Sequence, residues 1–221
     1  MKLNVLIVSI VAFTGSLLAA DPAGLPVVFT EDFEQGANRW IQSDPNAWRL
    51  VKEGGSQRYD QFQQSKVENP VRSPFNRALV KDVTVGSFQL DVDFQSTARD
   101  YPHRSLCLFF GFQDPSHLYY VHFGQKTDDH ANQIFIVNEA PRTKISMKTT
   151  EGTPWDNEWH HARIVRNVES GQIAVYFDDM ENPVMTAVDK TFTWGQIGIG
   201  SFDDTGHFDN VQLKGEILER P

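Results

Sequence analysis

The stretch that decides the fold is residues 104–138, RSLCLFFGFQDPSHLYYVHFGQKTDDHANQIFIVN. Read with a two-residue period, it predicts strands over 104–112, 117–123 and 132–137. Asp114-Pro115 in the first connection is a turn signal, and a polar loop precedes the third strand. We therefore expect three neighbouring antiparallel strands in the middle of a sheet.

Alternating runs of the same kind continue on both sides of this stretch. Helical periodicity is nearly absent after the first 20 residues, whereas short alternating runs recur at the spacing of a sandwich or barrel. In 86–96, the apolar side chains of one face alternate with the polar residues Gln89, Asp91, Asp93 and Gln95. About a dozen strands without an internal repeat favour an all-β fold, a two-sheet antiparallel jelly-roll sandwich, over a propeller or a single closed barrel.

Residues 1–20 have the pattern of a secretory signal peptide. Lys2 precedes an apolar run that ends in the small residues Ala19 and Ala20. An uncleaved helix is the alternative. We expect residues 21–221 to form one jelly-roll domain, since about 200 residues suffice for a large core. The protein would then be secreted or periplasmic/extracellular, with no membrane insertion after the signal is cleaved.

Charge and cysteine content restrict the partners and the chemistry. The formal net charge is −9, which repels nucleic acid and anionic membranes and favours a neutral ligand unless a local basic cluster overrides the mean. Cys107 is the only cysteine, so no internal disulfide forms. It lies inside an apolar strand, and we expect it to be a buried small hydrophobe.

Three further motifs lie outside the central stretch. They are FTEDFE with Gly36 and Trp40 at 29–40, WHHARIVRN followed by GQIAVYFDD at 159–179, and GQIGIGSFDDTGHFDNVQL at 195–213. Together they resemble the concanavalin A-like lectin/glucanase superfamily, and more closely its secreted bacterial laminin-G-like and 3-keto-disaccharide-hydrolase-like branch. The likeness covers nearly all of 27–215. Its motifs are signatures of strand order, so they specify fold better than function.

The resemblance implies two curved antiparallel sheets with a ligand, usually a glycan, on or near the concave face. It also implies a calcium ion in some members, where the first and last strands meet. The matching residues here are Asp209 on the last strand with Glu31 or Asp32 on the first, and oxygen ligands suit this cation. The alternative is that these acidic residues occupy turns and solvated strand positions.

The chain departs from the enzymes of this superfamily at their catalytic motif. Retaining glucanases carry E-x-D-x-x-E on a strand, which places two carboxylates on either side of the scissile bond. None of the acidic clusters here, including Asp91-Val92-Asp93, has that spacing. The family-16 glycosidase mechanism is therefore not supported.

A different catalytic group is conceivable, because six of the seven histidines lie between 103 and 161. In such a hydrolase or lyase, His117 or His130 would be the base, Tyr119 the acid, and Arg104 the group that neutralises a carboxylate or oxyanion. The alternative is that these are polar side chains on the solvated faces and in the loops of a sheet, where they satisfy one another.

Aromatic and amide side chains also predict a ligand site. Sugar rings stack on exposed aromatics, and their hydroxyls pair with amides and arginines. We expect Trp40, Trp48 and Trp159 to be core residues. The candidate ligand-binding residues are His103, Arg104, Tyr119, Asn132, Gln133, Arg142, Tyr101 and Trp155.

These patterns leave three functions open. The first is a glycan-binding jelly roll, lectin-like or laminin-G-like; the second is a glycan-cleaving enzyme; the third is an adhesion or scaffold protein of the cell surface. An enzyme requires His103, Arg104, His117, Tyr119 and His130 to converge in one cleft. A binding module requires only a shallow groove with an exposed aromatic residue.

Overall fold

A computed structural model describes residues 24–219, and the signal sequence expected at 1–20 lies outside them. Within this range the chain forms strands and one short 3₁₀ turn, Pro45–Ala47. The strands are β1 (Val27–Glu31), β2 (Trp40–Gln42), β3 (Trp48–Glu53), β4 (Ser56–Gln61), β5 (Asn76–Val80), β6 (Val85–Ser96), β7 (Ser105–Asp114), β8 (His117–Gly124), β9 (Gln133–Asn138), β10 (Thr143–Lys144), β11 (Ser146–Lys148), β12 (His160–Arg166), β13 (Gln172–Phe177), β14 (Met185–Val188), β15 (Gln196–Ser201) and β16 (Gly206–Ile217).

The strands form two antiparallel sheets. The nine-stranded sheet has the order β11-β14-β13-β12-β6-β16-β4-β3, with β1 also paired to β16. The seven-stranded sheet has the order β10-β9-β8-β7-β15-β5-β2. The prediction of an all-β, two-sheet antiparallel jelly roll is confirmed. The three strands of 104–138 are β7, β8 and β9, and they are neighbours in the seven-stranded sheet.

The main core lies between the two sheets and follows from the alternation in β6. Phe88, Leu90, Val92 and Phe94 are all buried, and Phe94 packs edge-on against Phe123 of β8, with ring centroids 5.2 Å apart. Since successive side chains of a strand point to opposite faces, the polar residues between them lie on the outer face of the nine-stranded sheet.

The seven-stranded sheet is buried on its outer face as well. Cys107, Phe109, Tyr120 and Phe135 form part of a second apolar cluster there, and all are at most 1% exposed. Val71 packs against this cluster, so segment 62–75, which connects β4 to β5, covers it. The expectation that Cys107 is buried is confirmed. A sheet covered on both faces shows no simple apolar/polar alternation.

No helix in residues 24–219 has the length and apolar character needed to cross a lipid bilayer.

Candidate functional site

The outer face of the nine-stranded sheet carries a polar depression at its centre. We call this depression, with the side chains that line it, the polar face. Its cavity has a volume of about 310 Å³ and lies over β6, β12 and β16. Its lining residues are Gln89, Asp91, Asp93, His161, Arg163, Asn210, Gln212 and Lys214. All of them have side chains that donate or accept hydrogen bonds, which is the lining expected for a hydroxyl-rich ligand.

His161 is the central charged group of the polar face. The antiparallel register places it directly opposite Asp93. Its Nδ1 lies 2.6 Å from Asp93 Oδ1 and its Nε2 lies 3.0 Å from Asp91 Oδ1. These hydrogen bonds, first to Asp91 and then to Asp93, raise the pKa of His161 to about 9. An imidazole that donates from both nitrogens is protonated, so His161 is an imidazolium near neutral pH.

Asp91 connects three side chains of the polar face. It accepts hydrogen bonds from Arg163 Nε at 2.7 Å and Gln89 Nε2 at 2.7 Å as well as from His161. Burial alone would raise the pKa of this carboxyl, but hydrogen bonds from His161, Gln89 and Arg163 lower it below its ordinary value. Asp91 is therefore ionised, and it fixes the orientation of the neighbouring donors.

A β-bulge in β16 shapes the rim of the depression. The pairing with β6 shifts between Asp209 and Gln212, and Asn210 has a positive φ of 47°. An asparagine tolerates this conformation better than most residues. Its side chain is exposed and donates to Asp93 Oδ2 at 2.9 Å. Asn210 also lines a second cavity of about 240 Å³ beside Glu31 and Asp32, so the two depressions share this residue.

An exposed tryptophan stands beside the polar face. Trp159 is 36% exposed, so the expectation that it belongs to the core is wrong. It stacks on His207 with ring centroids 6.3 Å apart and an interplanar angle of 29°, and the guanidinium of Arg58 lies 5.3 Å from its ring centroid. Its position two residues before His161 places it on the same side of the strand. That parity is the signal that could have identified it.

The buried carboxylate of Asp60 contacts Arg49 and His207, and His207 is the residue on which Trp159 stacks. Asp60 is 3% exposed and accepts from Arg49 Nε at 2.7 Å, while His207 Nε2 lies 3.4 Å away. His207 Nδ1 also lies 3.1 Å from Gln95 Oε1. The ring under Trp159 is thus fixed on both of its nitrogens, and the tryptophan has a rigid support.

The residues expected to bind calcium lie at the edge of the polar face. β1 pairs with β16, which brings Glu31 and Asp32 near the bulge, and Asp209 lies opposite Asp93. Burial, together with the charges of Asp93, Asp32 and Glu34, raises the pKa of Asp209 to about 6. Among the described residues, no group of three or more histidine, cysteine, aspartate or glutamate side chains is arranged to hold a metal ion.

The proposed catalytic residues do not converge. Tyr119 was expected on an exposed face, but it is fully buried between the sheets, where its hydroxyl donates to Asp189 and accepts from Phe192 N. His117 begins β8, whereas His130 lies beyond the other end of that strand. At about 3.3 Å per residue the two histidines are roughly 20 Å apart. This arrangement contradicts the catalytic grouping.

Three predicted ligand residues make structural hydrogen bonds around one end of the seven-stranded sheet. They are Arg104, Asn132 and Gln133. Arg104 is 3% exposed and donates to Ser96 Oγ at 3.0 Å and to the backbone oxygens of Ser96 and Asp156. The Asn132 side chain bonds to threonines of the 127 and 149–153 regions, and Gln133 Nε2 bonds to a loop carbonyl. All three are buried, so they are not available to a ligand at the surface.

His103, His117 and His130 lie in exposed or partly exposed places. His103 Nε2 is 3.3 Å from Asp128 Oδ2, and His117 Nδ1 is 2.8 Å from Asp114 Oδ2. His130 lies in the exposed loop before β9, where its backbone N–H bonds to Asp128. His103 and His130 therefore both contact Asp128, whereas His117 lies at the opposite end of β8.

The remaining predicted ligand residues are also separated. Trp155 is 7% exposed and its Nε1 donates to Phe123 O at 2.7 Å, so it is a core residue and not a sugar platform. Tyr101 donates to Asp204 Oδ1 at 2.7 Å. Arg142 lies on the outer side of the seven-stranded sheet, with its guanidinium 4.5 Å from the Phe202 ring centroid.

Sequence comparison finds no family model and no curated protein that matches this chain. Solved structures do match. The carbohydrate-binding module CBM66 from Bacillus subtilis superposes with a TM-score of 0.56 at 19% identity, covering 80% of this chain and 96% of that module. Lectin UEA-II, solved with galactose, gives a TM-score of 0.54 at 14% identity over 86% of this chain and 98% of the lectin.

A third similar structure is the metal-free form of lectin I-B4 from Griffonia simplicifolia. Its TM-score is 0.53 at 12% identity, covering 86% of this chain and 99% of the lectin. At identities this low, the likeness concerns the arrangement of strands and not the binding residues. The chain has the concanavalin A-like jelly-roll fold, which confirms at the level of fold the resemblance seen in its sequence motifs.

Proposed function

We propose that the protein is a glycan-binding jelly-roll domain and that it binds its ligand on the polar face. The observation that carries this proposal is the exposed ring of Trp159, fixed on His207, beside an open depression lined only by polar side chains. An aromatic platform next to fixed donors and acceptors matches the two surfaces of a sugar, its C–H face and its hydroxyls.

The arrangement of charges supports a ligand with many hydroxyls. Lining groups of both signs are present, and Asp91, Asp93, His161 and Arg163 already pair with one another. Because these charges pair with one another, the polar face exerts little net electrostatic attraction on a charged ligand. Each carboxylate oxygen can still accept a further hydrogen bond. The solved carbohydrate-binding module and lectins with this fold agree with the proposal.

Binding is favoured over glycan cleavage because the histidine, tyrosine and arginine side chains suggested for catalysis are dispersed. Tyr119 is sealed in the core and Arg104 is committed to structural hydrogen bonds. An adhesion or scaffold role through protein contacts would not require a glycan, so glycan binding is the property to test first.

The test is a glycan array probed with the purified protein, followed by isothermal titration calorimetry with any glycan that binds. Trp159→Ala should raise the Kd about tenfold, since an aromatic stack contributes on the order of 1 kcal/mol. Trp194→Ala is the matched control, because this partly buried tryptophan lies before β15, away from the polar face. Equal affinity of wild type and Trp159→Ala would contradict the proposed site.

Two further properties belong to the proposal. Secretion rests on the pattern of residues 1–20. A structural calcium ion rests on Glu31, Asp32 and Asp209, and two observations are compatible with it: Glu31 Oε2 is buried with no hydrogen-bond partner within residues 24–219, and Asp209 sits among other carboxylates. A bound cation would neutralise this repulsion.

A further inference from the structure

The outer side of the seven-stranded sheet carries three arginines without acidic partners. They are Arg72, Arg77 and Arg142, and no salt bridge within residues 24–219 includes any of them. This local excess of positive charge contrasts with a formal net charge of −9 for the whole chain. A basic cluster of this kind overrides the mean charge in its own neighbourhood.

Arg142 is the arginine with the least satisfied side chain. Its guanidinium lies over two rings, 4.5 Å from the centroid of Phe202 and 5.5 Å from that of Phe135. Its Nε and Nη1 atoms are sealed from solvent, and neither has a hydrogen-bond partner in the part of the chain that the structure describes. Cation–π contacts offset only part of the cost of removing these donors from water.

Tyr120 presents a second unsatisfied group in the same place. Its ring is fully buried and stacks on Phe135, with centroids 5.0 Å apart. Its hydroxyl also lacks a partner among residues 24–219. Burial raises the pKa of Tyr120 well above its ordinary value, while the positive charge of Arg142 acts in the opposite direction. The phenol is therefore a neutral donor close to a guanidinium.

The nearby histidine cannot supply the missing acceptor charge. His122 is 4% exposed, and burial, followed by the charges of Arg142 and His103, lowers its pKa to about 3. It is neutral, and its Nδ1 accepts from Asn132 N at 3.4 Å. His122 therefore carries no charge that could pair with Arg142, and no carboxylate within residues 24–219 forms a salt bridge with this arginine.

Segment 62–75 lies over the cluster on its outer side. Arg142 N donates to Arg72 O at 3.1 Å, and Arg77 Nη1 donates to Asn69 Oδ1 at 3.0 Å. The side chain of Arg72 is exposed, and its guanidinium lies 5.6 Å from the Phe202 ring centroid. Arg72 and Arg142 therefore flank one ring, and Arg72 is the outermost cation of the cluster.

Arg142 and Tyr120 both contact Phe135, and the chemistry of their unpaired donors indicates what they would bind. Guanidinium nitrogens that are sealed from solvent are costly unless an anion with acceptor oxygens pairs with them, and a phenol donates to the same kind of oxygen. We propose that Arg142 and Tyr120 bind a carboxylate group, of the kind carried by an acidic sugar, beneath the edge of segment 62–75. Arg72 would attract this anion from solvent. The site is separate from the polar face and does not depend on glycan binding there.

The experiment is calorimetric titration of the whole protein with glucuronate, acetate and sulfate, with glucose as the neutral probe. Glucuronate should bind and glucose should not. Arg142→Gln should weaken glucuronate binding at least tenfold. Tyr120→Phe, which preserves the ring, should weaken it severalfold. Arg99→Gln is the matched control, because this exposed arginine lies over Tyr101, away from the cluster.

Each outcome distinguishes the alternatives. Acetate binding as tightly as glucuronate supports a carboxylate site and makes the sugar ring incidental, whereas binding of sulfate alone contradicts the choice of a carboxylate. If no anion binds to the wild-type protein, the site does not exist. Arg142→Lys keeps the charge and provides a readout should Arg142→Gln fail to fold. Trp159→Ala should retain glucuronate binding, which separates a failure here from a failure of the polar face.

Discussion

His161 donates a hydrogen bond from Nδ1 to Asp93 Oδ1 at 2.6 Å, across the pair formed by β12 and β6. Because its other nitrogen faces Asp91, the imidazole is charged in the folded protein well above the pH at which a free histidine loses its proton. The polar face therefore has a cation at its centre, held between two anions.

This pairing predicts a loss of stability at alkaline pH. The folded-state pKa of His161 is about 9, against an ordinary value of 6.5. The stabilisation is complete below about pH 6.5, decreases as the pH rises, and is lost above about pH 9. Allowing for partial exposure of the ring, we expect it to contribute about 1–2 kcal/mol. Urea unfolding between pH 6 and pH 10 measures it.

The variant His161→Gln should remove the pH dependence in that window, while His130→Gln, an exposed loop position, should leave it intact. A wild-type unfolding free energy that stays constant from pH 6.5 to pH 9 would show that His161 is not held as an imidazolium.

Asp209→Asn should stabilise the protein above pH 6. The carboxyl lies opposite Asp93, and its pKa is raised from 3.8 to about 6. Ionising it in the folded state therefore costs free energy, and stability falls as the pH rises from about 4 to 6. We expect a gain of about 1 kcal/mol at pH 7 and none at pH 3.5. Thermal unfolding in a chelating buffer at both pH values checks this.

If calcium occupies the proposed metal site, the wild-type protein should become more stable than Asp209→Asn, the opposite of the order expected in a chelating buffer. In millimolar calcium, the wild-type protein should gain thermal stability, and Asp209→Asn should not, because binding to the folded state stabilises it by mass action. Asp128→Asn, in a different exposed loop, is the control. An unchanged wild-type melting temperature in calcium argues against the metal site.

Tyr119→Phe should destabilise the fold without altering glycan affinity. Its hydroxyl donates to the partly exposed Asp189 and accepts from the buried backbone N–H of Phe192. Deleting it leaves the buried N–H of Phe192 unsatisfied, at a cost of about 1–3 kcal/mol. The midpoint of urea unfolding reports the loss. Tyr176→Phe, a partly exposed tyrosine of β13, should have little effect on stability. A large loss of affinity in stable Tyr119→Phe protein would show instead that this residue contacts the ligand.

Arg104→Ala and His130→Ala should differ strongly in stability. Arg104 is buried and makes charge-assisted hydrogen bonds to Ser96 and the backbone of Asp156, so its removal should cost about 3 kcal/mol. His130 is exposed, so its replacement should change the unfolding free energy by less than about 0.5 kcal/mol. Chemical denaturation of the two variants side by side tests this. Equal stability would mean that the Arg104 network contributes little.

The alternation of apolar and polar residues was sufficient to predict the all-β class, the longer strands and the core face of β6, although residues 24–219 form sixteen strands where about a dozen were expected. In β6, Phe88, Leu90, Val92 and Phe94 point to the core, whereas Asp91 and Asp93 point to the outer face, because successive side chains of a strand alternate between the two faces. The burial of Cys107 followed from the same reasoning. These features depend on neighbours within a single strand.

The orientation of β8 could not be obtained in this way. Tyr119 and Tyr120 point to opposite faces, yet both are buried. The Tyr119 side, which was expected to be exposed, packs between the two sheets, and segment 62–75 covers the Tyr120 side. The sequence of β8 is apolar on both sides, so parity alone does not distinguish the core face from the covered face.

The polar face could likewise not be predicted from the sequence. Asp91 and Asp93, His161 and Arg163, and Asn210 come from three segments far apart in sequence, and each pair alone has the appearance of an ordinary solvated strand. By itself the sequence determined the fold class, the longer strands and most of the core, since these depend on local periodicity. Only the tertiary structure decided which polar residues meet, because that is set by the order and register of β12, β6 and β16.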